Sequence, residues 1–451
     1  MPDLVKKSLP LSTHSFPLCV WVVTALFLSV VSAQVWAGQA GDLAAADQAA
    51  LRRAQAAVDG ARKEDVSIAV RTEQGTAVSG ARLVARQLSS RFHAGCNIFA
   101  FDQFSTPEQN ALYAQRFEEL FDYATLPFYW SWYEPERGKP EHAYRQHVAA
   151  WCQEQHITTK GHPLAWAVRS GEPGWIQNLS PDESLAALKQ RITDCVSHFK
   201  GLIDAWDVVN EPTHTRPWPG TDSRADFVEQ CLRWARQANP KATLVVNDYY
   251  VIQDTEGKGP FYQLVTELIK RDAPFDAIGL QCHEPRTDWY SLEMVEKTLN
   301  TYAGLGKRIH VTEFTPTSSS KAITGSYHHG VWDEKAQADY AEQFFRICFA
   351  NPAVDCIVWW DLCEAKAWLP GGGLLRKDLS PKEVYGRIRQ LVRQEWRTQF
   401  DGLSDATGQV NFRAFHGKYK LTVEAAGLSQ SREFEVTPAK PTHLTVTLVS
   451  P

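Results

Sequence analysis

Residues 203–212 read Ile-Asp-Ala-Trp-Asp-Val-Val-Asn-Glu-Pro. The run from Ile203 to Asn210 is mostly apolar or β-branched, which suits a strand, and Pro212 forces the chain out of that strand just after Glu211. A strand therefore delivers a carboxylate at its carboxyl end. Beyond it comes a helix-period stretch, Phe227–Gln237, and then another apolar run, Ala242–Asn247. The alternation continues in both directions.

Upstream, His93–Phe99, Ala124–Trp130 and Thr158–Leu164 read as strands; downstream, Ala277–Gln281, Ile309–Phe314 and Cys356–Asp361 do. Amphipathic stretches fall between them: Pro107–Phe121, His142–Gln155, Pro181–Phe199, Phe261–Arg271, Leu292–Tyr302 and Glu334–Ala350, with Pro381–Arg393 after the last strand. Eight strands alternating with eight helices predict an α/β fold, either a (β/α)8 barrel or a large doubly wound sheet. Gly-x-Gly-x-x-Gly and phosphate-loop patterns are missing after the strands, which weakens the nucleotide-binding options.

The flanks differ from this central series. Residues 45–64 are Ala-rich and helical in character, and Val66–Thr72 and Ala81–Leu88 read as strands. After Trp396 come short alternating runs, Gln409–Phe415, Tyr419–Glu424, Glu433–Val436 and His443–Val449, separated by turn signals such as Asp405-Ala406-Thr407-Gly408. The two flanks together predict a small β-sandwich. The expected organisation is a signal peptide at 1–33, an N-terminal helix and strands at 45–90, the β/α series at 91–395 and a C-terminal β-sandwich segment at 396–451.

The signal reading rests on Lys6 and Lys7, the apolar run from Phe16 to Ala33 and the small residues Val31-Ser32-Ala33. It predicts a secreted or periplasmic protein, free of the membrane once the segment is cleaved. Eight cysteines then remain, in an oxidising compartment where disulfides are permitted. Cys348 with Cys356 is the first candidate pair and Cys152 with Cys195 the second. The 451-residue chain is 44% hydrophobic, enough for a large core, and its net charge of −5 excludes a basic nucleic-acid footprint. Its 16 tryptophans suit either core packing or sugar-ring platforms.

Active sites of β/α barrels lie at the carboxyl ends of the strands. Glu211 ends the fourth strand, and Glu313, in His310-Val311-Thr312-Glu313, ends the seventh. Around them the strand ends carry His162 and Trp166, Asn247-Asp248-Tyr249, Gln281 and His283, and Trp359-Trp360-Asp361 followed by Glu364 and Trp368. Two carboxylates among aromatic and amide groups are what glycosidic cleavage needs. One protonates the leaving oxygen, and the other attacks or activates water.

These stretches also resemble glycoside hydrolase family 10, the endo-β-1,4-xylanase family. Trp206-Asp207-Val208-Val209-Asn210-Glu211-Pro212 is similar to its acid/base motif and Val311-Thr312-Glu313 to its nucleophile motif. Trp130 with Glu134-Pro135-Glu136-Arg137-Gly138, Gly161-His162-Pro163-Leu164-Ala165-Trp166, Val246-Asn247-Asp248-Tyr249, Ile278-Gly279-Leu280-Gln281-Cys282-His283 and Trp360 through Lys382 agree in order and spacing over about residues 92–394. The resemblance implies a (β/α)8 TIM barrel and a retaining hydrolase of β-1,4-xylan or a related β-linked polysaccharide. It implies Glu211 as acid/base, Glu313 as nucleophile, and Asn210 on the 2-hydroxyl of the cleaved sugar. His162, Trp166, Trp360 and Trp368 would shape that sugar's subsite, and Gln281 and His283 would hydrogen-bond around the carboxylates. It implies no cofactor and no metal; a monomer whose partner is its oligosaccharide or polysaccharide substrate is expected.

The chain departs from the family pattern on the second strand. A Glu-Asn pair and a Lys before the Trp usually stand there; here the positions hold Thr125, Leu126 and Tyr129. The family's Asn and Lys bind hydroxyls on the non-reducing side, so weak action on plain linear xylan, and better action on a decorated xylan or another β-glycan, is expected. The usual Asp two residues past the nucleophile is Thr315, and the His that often follows the third-strand Trp is Ala167. Two other readings remain open: a non-catalytic carbohydrate-binding barrel, and a metal-dependent hydrolase built on the histidines.

Overall fold

A computed structural model describes residues 19–283 and 286–449, with side chains from residue 41 onward. The first eighteen residues of the expected signal segment lie outside the described residues. Among the described residues fifteen strands run in chain order: β1 Lys63–Thr72, β2 Arg82–Ser90, β3 His93–Asn97, β4 Tyr123–Pro127, β5 Thr158–His162, β6 Ala205–Asn210, β7 Thr243–Asp248, β8 Ala277–Leu280, β9 Arg308–Phe314, β10 Val354–Trp359, β11 Gln399–Leu403, β12 Gln409–Phe415, β13 Gly417–Ala425, β14 Leu428–Val436 and β15 Thr442–Leu448.

Strands β3 to β10 pair in parallel and close on one another, β10 against β3. This is the (β/α)8 barrel, not a doubly wound sheet. The connecting helices begin where the sequence offers caps. Ser180 and Glu183 form a reciprocal capping box on the helix Pro181–His198, and Thr106, Ser223, Ser291 and Asp333 each accept from a first-turn backbone N–H of theirs. Apolar faces of these helices, such as Leu188, Ile192 and Val196, pack onto the outward side chains of the strands. The second barrel strand is shorter than the sequence suggests. It ends at Pro127, and Trp130 opens a single helical turn, Trp130–Tyr133.

Two glycines let the barrel wall close around large side chains. A Cβ at Gly161 would lie 2.2 Å from the Trp206 ring, and one at Gly279 would lie 2.7 Å from Oδ1 of Asn247. The second keeps space for a side chain at the heart of the site.

Two sheets stand outside the barrel, β12-β1-β15 and β11-β2-β13-β14. They share a separate core of Val66, Ile68, Leu83, Leu421 and Val436 among others, so the strands on either side of the barrel fold as one sandwich. Strand β11, with no strongly buried face, is the one the sequence pattern misses. The Ala-rich stretch is the end of a longer helix, Cys19–Arg62, which docks on the barrel. Asp47 accepts the Leu292 N–H at 2.7 Å, and the Arg62 guanidinium donates to the Asn351 and Val354 carbonyls at 2.7 and 2.8 Å.

The disulfide expectation is corrected. Cys348, Cys356, Cys152 and Cys195, the members of the two expected pairs, are all buried and unbridged. Cys356 packs with Tyr123 and Val358, whereas Cys348 sits in the separate main core cluster, so the two flanking residues of one short loop face different packing layers.

Candidate active site

The carboxyl ends of the barrel strands surround one cavity of about 750 Å³. The ten residues that the sequence assigns to catalysis or to sugar binding all line it: Tyr129, His162, Trp166, Asn210, Glu211, Gln281, His283, Glu313, Trp360 and Trp368. Adjacent strand residues point to opposite sides, and the tryptophan pair follows this rule. Trp359 is fully buried against Phe314 and donates to the Gly372 carbonyl at 2.8 Å, while Trp360 faces the cavity.

Glu211 leaves β6 with φ of +52°, the left-handed region that disfavours a residue bearing a Cβ. Its N–H is held by the Asn247 carbonyl at 2.7 Å. The carboxylate accepts from Gln281 Nε2 on Oε1 at 3.1 Å and from the Trp166 indole on Oε2 at 3.0 Å. Burial and the charge of Glu313 push Glu211 above the ordinary carboxylate range, and those two hydrogen bonds only partly offset the rise.

Glu313 is 3% exposed, so burial alone would raise it too. Its neighbours reverse the sign. His162 stands 3.9 Å from Oε1, and His283 Nε2 lies 2.7 Å from Oε2. Asn247 Nδ2 donates to Oε1 at 2.7 Å. Glu313 is therefore held below the ordinary range. One carboxyl tuned up and its neighbour tuned down is the pattern that separates an acid from a nucleophile.

The amides are fixed by their partners. Asn247 Oδ1 accepts from Thr312 at 2.5 Å, which turns its Nδ2 toward Glu313 and toward Asn210 Oδ1 at 2.9 Å. Asn210 Oδ1 also accepts from Gln281 at 3.2 Å. With that oxygen occupied, Asn210 offers its Nδ2 to the cavity. His162 Nδ1 is 2.8 Å from Asp207, itself paired with buried Lys160 at 2.7 Å.

Of the three second-strand departures, only Tyr129 reaches the cavity. Thr125 and Leu126 are fully buried, Leu126 in the layer between strands and helices. Tyr129 packs against Trp132, His162, Trp166 and Phe99 with centroids 4.7 to 5.9 Å away. Sequence reasoning assigned no role to Asn247, which the strand-end rule already placed at the site, nor to Asn97 and Asp361. It also missed two rim platforms, Trp132 and Tyr250, 60% and 64% exposed at the cavity mouth beside the expected Trp368. A tryptophan in a helical turn gives no such signal in sequence.

The glycosyl hydrolase family 10 model matches residues 89–391. Endo-1,4-β-xylanase B of Thermotoga neapolitana is 30% identical over 284 residues, 59% of this chain and 78% of that protein. Endo-1,4-β-xylanase 2 of Arabidopsis thaliana is 27% identical over 373 residues, 81% of this chain; the match spans only 33% of that longer protein. Among solved structures, xylanase 10B from Thermotoga petrophila RKU-1 in complex with xylobiose superposes with a TM-score of 0.58 at 26% identity, over 68% of this chain and 95% of that one. Native xylanase 10B from Thermotoga maritima gives 0.57 at 27%, over 68% and 96%. Barrel, paired carboxylates and relatives together define an endo-xylanase-like glycoside hydrolase. The chain belongs to glycosyl hydrolase family 10, as its motifs led us to expect.

Proposed function

We propose that this chain is an exported, retaining glycoside hydrolase that cleaves β-1,4-xylan or a related β-linked polysaccharide by double displacement. Glu313, ionised, attacks the anomeric carbon while Glu211, protonated, gives its proton to the departing glycosidic oxygen. The glycosyl ester on Glu313 is then cleaved by a water from which Glu211, now the base, takes a proton. Asn210 Nδ2 donates to the 2-hydroxyl of the sugar in cleavage. The opposite tuning of the two carboxyls carries this reading, because binding alone requires neither. Tyr129 offers a ring face where the family has a cation, so plain linear xylan is expected to be the poorer substrate and a decorated xylan or another β-glycan the better one.

The test is reducing-sugar release across purified polysaccharides, with and without chelator, followed by NMR of the first-formed anomer. Release insensitive to chelator, with a β product, is expected. An α product would contradict the double displacement, and no release from any β-glycan would leave a binding protein. The carboxyl oxygens are expected about 5–5.5 Å apart, the spacing of a retaining pair. Export rests on the N-terminal segment, and detection of the protein outside the cytoplasm with residues 1–33 removed would support it.

A further inference from the structure

The cavity does not end at the carboxylate pair. It continues past Trp360 to a wall formed by the first barrel strand and the loop after the eighth, where Asn97, Gln103, Asp361 and Lys366 line it. Asp361 is only 7% exposed, yet it borders the cavity. Its Oδ2 accepts the Trp368 N–H at 2.9 Å and its Oδ1 accepts from Asn97 Nδ2 at 3.2 Å. An ionised carboxylate has about four acceptor positions, so two contacts leave acceptor capacity unused. A buried carboxylate is held in place at a cost to stability, and here it stands beside the aromatic floor that a sugar would cover. Phe99 links the two walls, 5.5 Å from the Trp360 ring and 5.9 Å from that of Tyr129.

The facing wall cannot grip hydroxyls as the family usually does, since Thr125 and Leu126 are buried and Tyr129 presents a ring. We infer that Asp361, positioned by Asn97, is a specificity-determining residue that accepts hydrogen bonds from hydroxyls of the sugar unit next to the one cleaved, on the non-reducing side. This rests on the glycosidase reading above and adds to it: the grip on that unit has moved from the second strand to the first and eighth. An acceptor-only carboxylate selects a unit that presents neighbouring hydroxyl donors, in place of the cation and amide donors that usually serve there.

Aryl β-glycosides of one and of two sugar units separate this from a structural role. The full chain is assayed on aryl β-xyloside, β-xylobioside, β-glucoside and β-cellobioside, with Asp361→Asn and Asn97→Ala beside the wild type. Hydrogen bonds to a charged group set the scale. Asp361→Asn is expected to lower the disaccharide-to-monosaccharide ratio of kcat/KM about 10–100-fold, the larger loss falling on the disaccharides. Asn97→Ala, which leaves the carboxylate and its Trp368 contact in place, is expected to lower the same ratio by less, and it serves alone if the first variant fails to fold. An unchanged ratio, or an equal loss on both lengths, overturns the inference. A wild type that turns over neither two-unit glycoside also overturns the inference, while the glycosidase reading itself falls only if no β-glycan is cleaved in the polysaccharide screen above.

Discussion

His283 Nε2 stands 2.7 Å from Oε2 of Glu313, and the other nitrogen of the same ring meets the Thr315 hydroxyl at 3.0 Å. The Thr315 hydroxyl gives its one proton to the Glu313 carbonyl at 2.8 Å, so it accepts from Nδ1. The aspartate usual in the family at that position would accept there too, with a full negative charge. Thr315→Val keeps the shape and removes the ring's anchor. It is expected to lower kcat about tenfold with KM within about twofold, since a lost buried hydrogen bond is worth about 1–2 kcal/mol; steady-state kinetics on the best substrate will show it. A variant with unchanged kcat would mean that packing alone orients His283.

The pH profile of kcat/KM reports the two carboxyls of the free enzyme. Activity requires Glu313 ionised and Glu211 protonated. Glu313 lies below the ordinary range and Glu211 above it, so the acid limb should fall below the usual glutamate value and the alkaline limb above it. Gln281 favours the charged form of Glu211 through its 3.1 Å hydrogen bond. Removing that bond in Gln281→Leu raises Glu211 further, so the alkaline limb should move to higher pH while the acid limb stays. A shift to lower pH would contradict the assignment.

Glu211 and Glu313 are expected to fail in different ways. Glu313→Gln removes the attacking group and should reduce turnover of every substrate by at least about 10³-fold. Glu211→Ala removes the proton donor, a contribution of about 10²–10⁴-fold on a polysaccharide. An aryl glycoside with an acidic phenol leaves without that proton, so its first step should be largely spared. Comparing kcat/KM on the two substrate types for each variant distinguishes the roles; equal losses in both variants on both substrates would remove the acid/base assignment.

Asn247 joins three elements of the site. It accepts from Thr312 and donates to both Asn210 and Glu313. Asn247→Leu leaves Glu313 without a short charge-assisted contact and frees the Asn210 amide to turn. A loss of about 10–100-fold in kcat/KM is expected, with the larger part in kcat. Gly279→Ala should reproduce part of it, because the new Cβ would press on the Asn247 side chain.

The barrel and its carboxylates were legible because both signals are local. A β-branched run ended by proline announces Glu211, and a second strand-like run, Ile309–Phe314, carries Glu313 at its end. The second strand was read too long because an apolar stretch through Trp130 suits a strand or a helical turn equally, and Pro127 decides between them only in three dimensions. Strand β11 carries no buried stripe, so its pairing with β2 leaves no periodic mark. The cysteine pair failed for a different reason. Chain proximity of Cys348 and Cys356 says nothing about which packing layer each side chain enters. Asp361 was visible at a strand end but carried no role, because its burial depends on Asn97 and Trp368, residues distant or beyond the strand.

Asp361 should also be readable in stability. Burial, opposed in part by the Trp368 and Asn97 hydrogen bonds, pushes its carboxyl up to about 6 from the ordinary 3.8. A raised acid binds its proton more tightly folded than unfolded, so ionising it opposes folding. The penalty is absent below pH 3.8, grows between 3.8 and about 6, and is complete above that. Across that interval it amounts to about 3 kcal/mol at most. Asp361→Asn avoids the charge, and its Oδ1 can still accept the Trp368 N–H. The variant is expected to be more stable than wild type at pH 7 by about 1–3 kcal/mol, with the advantage fading as the pH drops from 6 to 4. Urea unfolding midpoints at pH 4, 5, 6 and 7 measure this directly. A stability gain together with a lost preference for two-unit glycosides would identify a group kept for substrate rather than for the fold. A variant less stable than wild type at pH 7 would mean that the carboxylate's contacts to Asn97 and Trp368 outweigh its burial.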